Sequence, residues 1–532
     1  MDCVIEPPTW YLGTAKDLFQ TCLVYASLSE SSASDVLLRT KVLRSLSMVL
    51  LKQKERKKAV QHLALAKDLE PDNIWNDLIL IRVHIEEKAY PECLALIKTL
   101  TRSPSFHPKY LINTCKEAIG DEQNHVASEC LHQVFEHQKK TKEIIKPHAT
   151  LLISMITLSQ EEKDKHEATA KYLEDACALF EEDREAFLKS PVAAVDGEAT
   201  ANWFATTAWN LGLKLGTDDC QSGGGVNPGL ASRMFEVSVR FFQSLGDASA
   251  PQACLALLHA ASLLLESEEA LTGPARARTE TDRRQEMTRL SDLVRDLNLV
   301  FLRAKSAGLL EEEPRAKIGA ALPWLQYEVA CRNRDVAGAL HLLGEVRLIS
   351  TDPALFLRMA RSAGLLEANS AAVKVVALNL AMKHFQAAVP ANYAGVAFCF
   401  RHLVDLRSTD AEGIALAAQA VEVLKTTAAA LEGDGGGSEE GGDDVGGFPP
   451  EEVQWLATTA WNRGVQLHDF GDQALGSQWM RVGLNLLGHC GAALEAETER
   501  ARAHFEAACE NNKGNDENAA AAAADAMEIE VV

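Results

Sequence analysis

One thirteen-residue stretch occurs twice in this chain and constrains its fold more than any other feature. Trp203-Phe-Ala-Thr-Thr-Ala-Trp-Asn-Leu-Gly-Leu-Lys-Leu215 returns as Trp455-Leu-Ala-Thr-Thr-Ala-Trp-Asn-Arg-Gly-Val-Gln-Leu467, with nine of the thirteen residues identical. A looser match follows each copy. Leu230-x-Ser232-x-Met-Phe-x-Val237 follows a loop of 14 residues in the first copy, and Leu475-x-Ser477-x-Trp-Met-x-Val482 follows a loop of 7 in the second. Two stretches of helical periodicity joined by a polar connection predict a helix pair in each copy. Duplicated pairs of this kind belong to repeat architectures, where a unit buries its apolar face only against its neighbours. Small residues share one face of the first copy at Ala205, Ala208 and Gly212. In the second copy, with Gly464 as the small first-helix position, Gly476, Met480 and Gly483 fall where a 34-residue helix pair wants small, large and small residues.

A second repeat signal lies nearer the start of the chain. Leu43, Leu46, Ser47, Leu50, Ala59, Leu63, Ala66 and Pro71 occupy the spacings of the tetratricopeptide pattern. Small Ser47 and Ala59 let two helices approach, Leu46, Leu50 and Leu63 fill the seam, and Pro71 stops the second helix within Leu-Glu-Pro-Asp-Asn. The next 34 residues keep the phase more loosely, through Leu80, Cys93, Ile97 and Leu100. Further helices are expected over 279–306, 354–363 and 370–389. The expected fold is therefore all-α, an α-solenoid of tetratricopeptide-like helix pairs. Residues 1–195 form N-terminal repeats and 196–432 middle repeats. An acidic glycine-rich linker follows at 433–450, a C-terminal pair at 451–510, and a disordered tail at 511–532.

Composition narrows the function. Asp and Glu number 75 against 53 Lys and Arg, a net charge of −22. A surface that acidic repels a phosphate backbone, so nucleic acid is not the expected principal partner. The 12 cysteines include no CxxC pair, which fits thiols in a reducing compartment. The opening Met-Asp-Cys-Val-Ile-Glu-Pro-Pro lacks the basic and apolar runs of a secretory signal. The most apolar run, Cys254 to Leu265, is short of a bilayer span, so no membrane association is expected.

No phosphate loop, dinucleotide fingerprint, zinc-protease motif or nucleophile elbow occurs, so the sequence nominates no catalytic, cofactor-binding or metal-binding residue. His125, Cys130, His132 and His137 are the best metal candidates, yet a helix would splay them around its axis, and an ordinary packing role is expected. Basic residues cluster at Lys52, Lys54, Arg56, Lys57 and Lys58, and at Arg276, Arg278, Arg283, Arg284 and Arg289. They read as solvated faces, or as docking points for an acidic partner or DNA. Trp203, Trp209, Trp455 and Trp461 are expected to pack helix seams, with a role as binding hot spots the alternative. Asn210 and Asn462, poor helix formers kept in both copies, are expected to hydrogen-bond a neighbouring loop.

The paired Ala-Thr-Thr-Ala-Trp-Asn motifs, together with the Lys-Val-Leu-Arg and Leu-Glu-Pro landmarks within 39–73, resemble the meiotic tetratricopeptide-like family called Zip-four or Spo-twenty-two, which includes an animal testis-expressed relative. Members of that family are longer, and the resemblance places this chain in the latter part of their array. It implies a non-enzymatic scaffold in the nucleus, on meiotic chromosomes, that binds other synapsis and crossover proteins and takes no small-molecule substrate. The competing reading is a general tetratricopeptide adaptor. A clasp for acidic peptides of that class needs Lys, Arg and Asn along one groove, which no register here supplies clearly.

Overall fold

The computed structural model describes residues 9–28, 33–160, 166–188, 197–217, 227–271, 280–388, 391–407, 409–433, 448–490, 495–496 and 498–507. Every regular element among them is helical, with no strand. The expected tail at 511–532, most of the 433–450 linker and the Gly-rich loop before Asn227 lie outside the described residues.

Contacts group the chain into two units, Met1–Ala277 with Asp296–Glu311, and Arg278–Arg295 with Glu312–Val532. One of the crossings between them, at Arg295 and Asp296, falls inside a helix. In the first unit the order is α1 (Thr9–Leu28), α2 (Ala33–Lys52), α3 (Arg56–Leu69), α4 (Ile74–Glu87), α5 (Tyr90–Leu100), α6 (Lys109–Gly120), α7 (Asn124–Thr141), α8 (His148–Gln160), α9 (His166–Glu182), α10 (Arg184–Leu188), α11 (Gly197–Thr217), α12 (Pro228–Ser244) and α13 (Ala250–Leu271). Helix α14 (Glu280–Ser306) is shared between the units. The second unit continues with α15 (Glu312–Arg332), α16 (Val336–Ile349), α17 (Pro353–Ser362), α18 (Ser370–Ala387), α19 (Tyr393–Asp405), α20 (Asp410–Gly433), α21 (Pro450–Asp469) and α22 (Gln473–Leu487). The helices expected at 279–306, 354–363 and 370–389 correspond to α14, α17 and α18 within two residues at each end.

Within each unit a helix packs on the next and on the next but one. In the first, α2 meets α3 and α4, α4 meets α6, and α5 meets α7; in the second, α15 meets α17, α16 meets α18, and α20 meets α22. That is the contact pattern of an α-solenoid, where burial is shared only between neighbours.

The 34-residue period is clearest in the turns. Lys54, Lys88 and Glu122 each adopt a left-handed conformation, each 34 residues after the last. At each, the amide one residue further on donates to a carbonyl five residues back: Glu55 to Leu50 at 2.9 Å, Ala89 to His84 at 3.0 Å and Gln123 to Ala118 at 2.7 Å. This is a Schellman closure, which satisfies helix-end carbonyls while reversing the chain. Arg334 and Gly471 repeat it in the second unit, where Asp335 and Asp472 then cap the following helices through bonds to the amides of Gly338 and Leu475.

The apolar run centred on α13 is longer than the sequence reading allowed. Asp247–Glu266 is long and apolar enough to cross a membrane by length and composition, and 56% of it is buried inside the protein. Ala253, Cys254, Leu257, Ala260, Ala261 and Leu264 are buried, and Ser232 of α12 donates to the Ala260 carbonyl at 2.9 Å, as in a core helix.

Candidate interaction surface

The duplicated motifs build two helix pairs, α11 packed on α12 and α21 on α22. In the second copy a methyl group on Gly464 would lie 2.7 Å from the Met480 nitrogen and 2.9 Å from the Gly476 oxygen. One on Gly476 would lie 2.8 Å from the Gly464 oxygen, and one on Gly483 would lie 3.0 Å from the Trp461 nitrogen. The backbones of α21 and α22 therefore touch along the glycine stripe. In the first copy, a methyl group on Gly212 would lie 3.0 Å from the Phe235 ring, where Phe235 takes the register of Met480. Ser238 takes the register of Gly483 and donates to the Ala205 carbonyl at 2.9 Å. One copy closes its seam by backbone contact, the other by a buried hydroxyl.

The four motif tryptophans are all half-buried. Trp203 and Trp209 pack against the core of the first unit, and Trp209 meets the Phe235 and His259 rings edge-on at 5.2 and 5.6 Å. Trp455 packs on the second core beneath the Arg401 guanidinium, 4.7 Å away. Trp461 instead meets His504 at 5.9 Å and lines an open cavity of about 380 Å³ with Gln454, Thr458, Leu487, Arg500 and Ala501. Asn210 and Asn462 do not behave as expected. Both are exposed, and no side-chain hydrogen bond ties either to a loop among the described residues. An exposed amide is satisfied by water, so it needs no fixed protein partner.

Among the described residues the wholly buried indole is Trp479 on α22, which the duplication placed in register with Met234 but which sequence reasoning did not single out. Its Nε1 donates to Asp410 Oδ1 at 3.1 Å. Arg463 donates to both Asp410 oxygens at 2.8 Å, and the Arg407 guanidinium lies 5.3 Å from the Trp479 ring. The Arg463 hydrogen bonds hold the Asp410 carboxyl below the usual carboxylate range. Leu211 stands at the position of Arg463 in the first copy, so this clamp belongs to the C-terminal pair alone.

In the N-terminal repeat, Leu46, Leu50, Ala59, Leu63 and Ala66 are buried, whereas Pro71 is exposed just beyond the end of α3. The Leu-Glu-Pro landmark acts mainly through Glu70. Its carboxylate accepts from Arg44 and from Asn73, both at 2.9 Å, and its carbonyl accepts from buried Asn76 at 2.9 Å. Partial burial opposes ionisation of Glu70, but the bonds from Arg44 and Thr40 and the Arg44 charge outweigh it and lower its pKa. The Lys-Val-Leu-Arg and Leu-Glu-Pro landmarks are thus two halves of one ion pair. A third repeat escaped the sequence reading: Ala127, Leu131 and Val134 follow Cys93, Ile97 and Leu100 by 34 residues, and all six are buried.

The remaining candidates carry no chemistry in common. His125, His132 and His137 face three different rings, those of Tyr90, Tyr172 and Phe106. Cys130 is fully buried with its thiol pKa pushed up by burial, and no group of three possible ligands forms a metal site among the described residues. At the first basic cluster, Arg56 pairs with Glu86 and Lys58 with Glu55. In the second, Arg276 and Arg278 lie outside the described residues, while Arg284 and Arg289 interact within the chain. A second open cavity of about 380 Å³ is bordered by Gln243, Asp247, Asp296, Leu299 and Arg303.

No known family profile matches the chain. Among solved structures, a circular tandem repeat protein with novel repeat topology is 14% identical over 96% of this chain and 99% of its own, with a TM-score of 0.23. The Naa15/Naa10 structure bound to HypK-THB is 10% identical over 95% of this chain and 79% of that one, with a TM-score of 0.23. Yeast Tom70 is 14% identical over 94% and 96%, with a TM-score of 0.18.

Proposed function

We propose that this chain is a non-enzymatic scaffold that binds partner proteins along its helical repeats, and that it serves synapsis initiation and crossover formation on meiotic chromosomes in the nucleus. The scaffold reading rests on the repeat architecture: neighbouring helix pairs leave open cavities edged by both apolar and charged side chains, as at Trp461 and Leu299. The meiotic assignment rests on the resemblance carried by the two Trp-Asn motifs and by the Arg44 and Glu70 landmarks.

Immunolocalisation of the endogenous protein on spread chromosomes, in cells entering meiosis and in vegetative cells, tests the assignment. Discrete foci on pairing chromosomes support it. A diffuse cytoplasmic signal in both cell types refutes it and leaves the general adaptor.

A further inference from the structure

Helix α1 is apolar on two opposite faces. Phe19 and Leu23 pack on Leu46, Leu50 and Ala59 of the first repeat. On the other side Tyr11, Leu18 and Tyr25 are 60%, 62% and 71% exposed, spaced seven residues apart, with exposed Thr14, Thr21 and Cys22 between them. Tyr11 and Thr14 keep interactions within their own chain and still present this surface. The stripe itself carries no charge, and the only ionisable side chains described on α1 besides Cys22 and the tyrosines are Lys16, held by Glu55, and Asp17 at the stripe's edge. An uncharged, largely apolar helix face of this kind is a surface that a partner can cover.

We infer that this face pairs with the same face of a second copy of the chain, antiparallel, about a two-fold axis passing near Leu18. Two observations select a second copy over another partner. First, the stripe is close to a palindrome about Leu18: seven residues either side stand Tyr11 and Tyr25, and four residues either side stand Thr14 and Cys22. A two-fold interface sets each residue at i against its counterpart at j and the reverse, so a palindromic stripe is self-complementary. Tyr11 of each copy lies against Tyr25 of the other, and the two Leu18 side chains meet at the axis. Second, a chain of net charge −22 repels its own copy wherever charged surfaces meet, and this stripe is free of charge. Tyr11, Leu18 and Tyr25 expose about 400 Å² per copy. With Cys22 and the threonines, two copies together approach the ~1,000 Å² at which specific interfaces begin. The dimer is therefore weak, dissociates on dilution, and tightens as salt screens the acidic surfaces.

Sedimentation equilibrium of the full chain across protein concentration and salt tests the inference. The wild type should pass from monomer to dimer, and Leu18→Glu and Tyr25→Lys should each remain monomeric with unchanged helicity and melting temperature. In a Cys22→Ala background, Leu18→Cys should form a disulfide-linked dimer on mild oxidation, because only an axis at Leu18 brings that position against itself. A wild type that stays monomeric at every concentration, a dimer that survives both charged substitutions, or a failure of the Leu18→Cys cross-link would each overturn the proposal. None of these results bears on chromosomal localisation.

Discussion

Replacing Gly464 with Ala offers the sharpest test of how the C-terminal pair is held together. The added methyl would meet two backbone atoms, at 2.7 and 2.9 Å, and the Met480 side chain at 2.6 Å. A side chain can swing away, but a backbone atom moves only if α22 moves. Overpacking costs about 1 to 3 kcal/mol, and contact with backbone places this site near the upper end. Against that, Ala is favoured over Gly inside a helix by about 1 kcal/mol. The net loss is about 2 kcal/mol, which for a unit of this size lowers the melting temperature by roughly 4 to 8 °C. Gly344 in α16 supplies the control, since nothing lies within 4 Å of its added methyl. Gly344→Ala should therefore raise the melting temperature by about 2 to 4 °C through helix propensity alone. Calorimetry on the two single variants reads both signs. If Gly464→Ala stabilises as much as Gly344→Ala, the backbones of α21 and α22 are not in contact and the role assigned to the glycine stripe is wrong.

Trp479→Ala should cost about 3 to 5 kcal/mol in urea unfolding. Trp461→Ala, at a half-exposed site, should cost clearly less, and equal losses would refute the packing described for the two indoles. Because Arg463 lowers the Asp410 pKa in the folded state, Asp410 contributes stability above its ordinary value of 3.8 and loses it as pH falls through the depressed folded value. Urea midpoints for wild type and Asp410→Asn should thus differ by a constant amount near neutrality and converge in acid; a gap that persists in acid would contradict this. Among the described cysteines, exposed Cys22 should react fastest with a disulfide reagent in the native state, since burial lifts the thiols of Cys93, Cys115, Cys254 and Cys331 to about 11 and that of Cys399 to about 12. Mass mapping that finds Cys399 modified before Cys22 would show that the helices around it open readily.

The helices and their pairing were legible because their cause is local. Apolar residues at helical spacing define a face, and a repeated face defines a repeated unit, so the duplication around Trp203 and Trp455 was enough to place two helix pairs and their small-residue seams. The third N-terminal repeat was not legible, because Cys93 and Ala127 share with Ala59 only their small size and burial. Its sign was the left-handed turn at Glu122, a conformation that no residue type announces there.

What the sequence could not supply was everything that depends on residues far apart along the chain. Asp410, Arg463 and Trp479 come from three helices, and Arg44 from α2 meets Glu70 just past the end of α3; each bond forms only once the helices are stacked. The same holds for Trp461, which shares a motif with Trp455 but borders a cavity because Arg500 and His504 close in from outside the pair. Asn210 and Asn462 show the converse, since residues kept in both copies turned out to face solvent. The sequence by itself determined which segments are helical, because periodicity is a property of neighbours along the chain. Tertiary structure alone decided which polar groups meet and which aromatic rings are covered, because burial is a property of neighbours in space.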